Sequence, residues 1–84
     1  MDSIFKETRH LLGATLSLGS RADSFDESTE LLGSLPEFDS MAVVTLLAAL
    51  EEHFGFVAED DEIFAETFET LGSLVAFVRQ KQAE

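Results

Sequence analysis

Apolar residues recur at helical spacing almost throughout this chain, and no run shows the clean alternation of a half-buried strand. That periodicity predicts an all-α fold. A first helix is expected from near Ser3 to Leu18, with Phe5, Leu12 and Leu16 on one stripe, Ile4, Leu11 and Leu18 beside it, and Gly19 as its stop. The connection from Ser20 to Asp39 carries Ser, Asp, Gly33 and Pro36, yet Phe25, Leu31, Leu32, Leu35 and Phe38 are expected to tuck against the core. A loop of that length in a small domain is usually functional. A second helix opens at Ser40 and ends at Gly55. At about 100° per residue, Val43, Leu46, Leu47, Leu50 and Phe54 fall on its buried side, and Met41, Thr45, Ala48 and Glu52 on the opposite side. A short third helix is expected through Ile63, Phe64 and Phe68. A last helix, capped by Thr70, should bury Leu71, Leu74, Val75 and Val78. The expected architecture is a small four-helix bundle: three longer helices, a short third one, and a long loop between the first and second.

With 84 residues the chain has room for one core, so 1–84 is expected to be a single domain without a second lobe. The absence of Cys excludes disulfides, zinc-thiolate sites and a protein thiol nucleophile. The apolar runs are too short to span a bilayer, and the start lacks a basic segment followed by an apolar one, so a cytoplasmic protein is expected. Nothing resembles a linker to a neighbouring module, and the simplest expectation is a free-standing, monomeric chain. Seventeen acids against five Lys and Arg give a net charge of −12. Lys6 and Arg9 lie near the start, Arg79 and Lys81 near the end, and Arg21 alone between them. Such a surface repels nucleic acid and anionic lipid and steers toward basic partner patches.

Catalysis by the chain itself is poorly supported. Ser40 and His53 lie on one expected helix, roughly 20 Å apart at about 1.5 Å per residue, too far for a nucleophile and its base. Nothing in the spacing of His10 brings it to Ser40, and a pair of catalytic carboxylates needs a cleft that so small a bundle hardly offers. The acidic run Glu59, Asp60, Asp61, Glu62 lacks the alternating ligands, central Gly and final Glu of a calcium loop. No catalytic residue and no metal site are therefore expected.

Two features remain. The run Leu35, Pro36, Glu37, Phe38, Asp39, Ser40, Met41 places an Asp-Ser pair where a loop becomes a helix. Ser40 there is either an ordinary helix cap or a hydroxyl at the positive end of the helix, where an attached phosphate is favoured. On the outer face of that helix, Met41 and Ala48 beside Asp39, Glu51 and Glu52 form a strip that could dock a partner through apolar contact and charge. The other reading is scattered surface apolar residues.

Taken together, the acidic domain, the long loop, Asp39-Ser40-Met41 opening the second helix, Leu50-Glu51-Glu52-His53-Phe54 closing it, and the acidic turn before a short third helix resemble the acyl carrier protein family along nearly the whole chain. The resemblance implies that Ser40 bears 4′-phosphopantetheine, transferred from coenzyme A by a separate phosphopantetheinyl transferase with magnesium. It implies that Asp39 helps the transferase recognise the site. The arm would supply the thiol that the chain lacks, carrying acyl groups as thioesters to acyl-transferring or acyl-activating enzymes with basic docking patches. Met41, Thr45, Ala48, Glu51 and Glu52 would meet those partners. The interior, with Phe5, Phe38, Phe54, Phe64, Phe68 and Phe77, either admits an acyl chain between helices or is filled by its own rings. Met41 stands for the usual Leu after the serine, and Glu37 and Phe38 for the usual small residues before the Asp. Ala42 and Thr45 occupy positions where carriers of fatty acid synthesis often have acids, which points to a specialised pathway such as polyketide, lipid-modification or ligase-coupled chemistry. The peptidyl carriers of non-ribosomal synthesis, less acidic and with Gly near the serine, are less similar. The alternative from another class is a small acidic helical adaptor or inhibitor that docks a basic surface without modification, and so independently of the Ser40 hydroxyl.

Overall fold

Phe5, Leu12 and Leu16 do line up on one buried stripe, as their spacing requires, and that stripe organises the fold. The computed structural model describes residues 3–59 and 65–83. Helix α1 spans Ser3–Thr15, α2 spans Ser40–Phe54 and α3 spans Leu71–Ala83, with 3₁₀ segments at Gly19–Ser24 and Ala65–Phe68. Helix α1 packs against α2, α3 and the first 3₁₀ segment. It ends before the expected Leu18. Ser17 adopts a left-handed φ of 56°, the Leu18 N–H donates to the Gly13 carbonyl at 2.9 Å, and the Ser17 N–H donates to that of Ala14 at 3.4 Å. These bonds satisfy the last carbonyls and turn buried Leu18 back onto the core.

The long connection is more ordered than a loop between helices need be. Leu31 and Phe38 are buried and Phe25 and Leu35 partly so, whereas Leu32, expected inside, is 37% exposed. It opens a turn just after Leu31, and two consecutive side chains there cannot both face the core. The Asp26 carboxylate accepts from the Ser28 hydroxyl at 2.7 Å and the Ser28 N–H at 2.9 Å, bonds that hold its carboxyl below the ordinary range. Backbone bonds then join the loop to the start of α3. The Leu31 N–H donates to the Glu69 carbonyl at 2.8 Å, Leu71 to Thr29 at 2.9 Å, and Gly72 to Glu27 at 2.9 Å. The resulting bridge between Glu30 and Thr70 is isolated, and no strand forms among the described residues.

Leu46 and Leu50 anchor α2 in the core, with Val43, Leu47 and Phe54 partly buried beside them. Gly55, at φ 74°, ends the helix as expected. The short third helix is the 3₁₀ segment Ala65–Phe68, which buries Phe68; Ile63 and Phe64, also assigned to it from sequence, lie outside the described residues. Helix α3 starts on reciprocal bonds: the Ser73 N–H donates to Thr70 Oγ1 at 3.0 Å and the Thr70 N–H to Ser73 Oγ at 3.1 Å. Its Leu71, Leu74, Val75 and Val78 are completely buried. Among the described residues, no helix is long and apolar enough to cross a membrane.

Candidate functional site

The N-terminus of α2 is capped by Asp39, not by Ser40. Asp39 sits just outside the helix in extended conformation, φ −98° and ψ −175°. Its Oδ1 accepts the Ala42 N–H at 2.9 Å and its carbonyl accepts the Val43 N–H at 3.0 Å. A cap must lie at the non-helical position, and Ser40 is already the first helical residue. This removes the capping reading of Ser40. Its side chain is exposed, and its hydroxyl has no hydrogen-bond partner among the described residues. The backbone N–H groups of Ser40 and Met41 have none there either. The site therefore combines a free hydroxyl with two undirected donors at the positive end of a helix dipole.

Two neighbouring side chains hold this turn in place. Phe38 is 3% exposed and its ring centroid lies 6.0 Å from that of Phe68, so the residue before the cap is rooted in the core. Glu37 Oε2 accepts from Arg21 Nη1 at 2.6 Å, which ties the turn to the first 3₁₀ segment, and this bond keeps the Glu37 carboxyl below the ordinary range. Glu37 and Phe38 thus anchor the turn that leads into Ser40.

On the outer face of α2, Met41 is 71% exposed, and Thr45, Ala48 and Glu52 are exposed too. Val44, 62% exposed, belongs to the same strip and was missed from sequence; its place three residues after Met41 and four before Ala48 was the available signal. The Thr45 hydroxyl donates to the Met41 carbonyl at 2.9 Å. Glu51 is half-buried, and its Oε2 accepts the Ala58 N–H at 2.8 Å, holding the segment that follows α2. His53 Nε2 lies 2.7 Å from Glu7 Oε1 and links the end of α2 to α1, at the far end of the helix from Ser40. No group of three or more His, Cys, Asp or Glu able to hold a metal occurs among the described residues; Asp60, Asp61 and Glu62 lie outside them.

A family model for a phosphopantetheine attachment site matches residues 12–78. The chain is 30% identical over 81 residues to an acyl carrier protein of Lactobacillus acidophilus, covering 96% of this chain and 95% of that protein. Its fold matches the solution structure of a holo acyl carrier protein from Nitrosomonas europaea with a TM-score of 0.91 and 49% identity, over 99% of this chain and 100% of the other. Helical fold and site together define a domain built to hold a covalent phosphopantetheine. The chain belongs to the acyl carrier protein family. It is a carrier and not an enzyme, which sets aside the unmodified adaptor. Membership implies dealings with a phosphopantetheinyl transferase and with acyl-handling enzymes.

Proposed function

We propose that Ser40 is the attachment point of the 4′-phosphopantetheine arm and that enzymes reading the arm dock on the outer face of α2. The observation that carries this reading is the free Ser40 hydroxyl beside the unbonded N–H groups of Ser40 and Met41. Attachment converts that hydroxyl into a phosphodiester, whose negative charge gains from these donors and from the helix dipole. When bound, the arm supplies a thiol on which acyl groups are held as thioesters. Asp39 has a double part: its carboxylate caps the helix and is the acidic mark beside the serine that the transferase recognises.

The docking face is formed by Met41, Val44, Thr45 and Ala48, with Glu52 as its free charge. Glu51, assigned to partner binding from sequence, serves the face indirectly by holding Ala58. Ala42 and Thr45, where acids are frequent in carriers of fatty acid synthesis, favour partners with fewer basic residues and hence a specialised polyketide, lipid-modification or ligase-coupled pathway. The same reading has residues 1–84 acting as one monomeric carrier domain in the cytoplasm.

Intact mass after incubation with coenzyme A, magnesium and a broad-specificity transferase tests the anchor. One phosphopantetheine is expected on the parent chain and none on Ser40→Ala. Modification of the variant would move the site elsewhere. The face is tested with Glu52→Lys: association with the transferase should be severalfold slower than the parent's at low salt, and the gap should close as salt is raised, because an exposed charge acts mainly on the encounter. Unchanged kinetics at low salt would place the docking face elsewhere.

A further inference from the structure

With 17 acids in the chain, each basic side chain has partners to choose from. Arg21 pairs with Glu37 and His53 with Glu7, while Arg79 and Lys81 are also engaged. Lys6 and His10 are different: neither has a hydrogen bond or ion pair among the described residues. Arg9 lies between them. Its Nη1 donates to the carbonyls of Asp23 and Phe25, each at 3.3 Å, and its guanidinium sits 5.4 Å from the centre of the Phe5 ring. These contacts orient the group and leave its other nitrogens without partners among the described residues.

The three side chains stand at positions i, i+3 and i+4 of α1 and so share one face. That face opens on a groove of about 610 Å³ between α1 and the Gly19–Ser24 segment. The groove is tightly built where the two segments meet, since a Cβ on Gly13 would lie 2.8 Å from that of Ala22. Asp23 is the single acid lining it among the described residues. Lys6 and Arg9 crowded on one helix face repel each other, and their closeness, with no ion pair among the described residues, favours an added counter-charge. A planar, oriented guanidinium flanked by two exposed donors suits phosphate oxygens, and His10 offers an N–H in either protonation state. The volume is that of a small-molecule site and not of a long peptide groove.

We infer that this groove binds a small phosphorylated ligand with at least two anionic groups, held by Lys6, Arg9 and His10. The site shares no residue with the Ser40 turn or the outer face of α2, and it does not depend on the proposed anchor.

The test is a two-dimensional amide NMR titration of the holo protein with inorganic pyrophosphate, the ionic strength being held constant with NaCl. Saturable shifts are expected at the groove segments, residues 6–23, with the amides around Ser40 unmoved. Lys6→Ala and His10→Ala alter exposed side chains and should keep the spectrum of the folded chain, while the double variant binds about tenfold more weakly. Shifts that never saturate, that NaCl alone reproduces, or that persist with the same affinity in the double variant would overturn the inference. So would saturable binding of a short Glu-rich peptide without binding of pyrophosphate, which would give the groove to an acidic protein segment instead.

Discussion

Asp39 and Ser40 are neighbours with opposite duties. One carboxylate oxygen of the aspartate starts the helix, and this leaves the serine hydroxyl free for the proposed attachment. Had Ser40 taken the cap, its oxygen would have been accepting a backbone N–H and the proposed phosphodiester would have had to displace that bond. Ser17 illustrates a residue held at some cost: it occupies the left-handed conformation at the end of α1, where a Cβ crowds the backbone. Ser17→Gly should stabilise the protein by about 0.5–1 kcal/mol and raise the thermal midpoint by a few degrees. A midpoint that stays or falls would mean that the entropy of the added glycine outweighs the relieved strain.

At the level of elements, the long loop behaves as a structural member. Its bonds to Glu69, Leu71 and Gly72 fix it to the start of α3, and Arg21 and Phe38 fix its two ends around the serine turn. The closest approach is at Gly72, where a Cβ would lie 2.7 Å from the Glu27 carbonyl oxygen, a backbone atom with little freedom to retreat. Gly72→Ala is therefore expected to destabilise the fold by about 1–3 kcal/mol, read as a lower urea midpoint at unchanged slope. A midpoint equal to the parent's would show that Glu27 yields, and that the loop is held less firmly than its four backbone bonds to Phe68, Glu69, Leu71 and Gly72 suggest. The α2 face sits on an element whose other side is anchored by Leu46 and Leu50, so the proposed docking surface is already in place.

For the molecule as a whole, a net charge of −12 on 84 residues means that the folded state contends with its own repulsion. Raising NaCl from low to high concentration should increase the thermal midpoint steadily, because the screening length shrinks below the spacing of the surface acids. A midpoint independent of salt would mean that the excess acids are already too far apart, or too well solvated, to oppose folding. The same imbalance makes the Lys6, Arg9 and His10 groove conspicuous, since it is a cationic concavity in an anionic surface.

Periodicity alone was enough to place α1, α2 and α3 and to name Leu46, Leu50, Leu71, Leu74, Val75 and Val78 as core, because a helix repeats every few residues and its buried stripe is written locally. Gly55 and Thr70 marked helix ends for the same local reason, and Asp39-Ser40 marked the proposed attachment site. Contacts distant in sequence were legible nowhere in the chain. The early end of α1 depends on where Leu18 can be buried, the exposure of Leu32 on a turn that lets only Leu31 face inward, and the diversion of Glu51 on a segment that returns Ala58 to it. The choice of Asp39 over Ser40 as cap turned on one residue of helix register, which propensity cannot distinguish when both residues cap well. The helices, the acidic surface and the candidate pair Asp39-Ser40 were thus written locally in the chain. Only the tertiary structure decided which oxygen is left free, which charges face outward and where spare cations gather, since each of these depends on groups that approach only once the chain has folded.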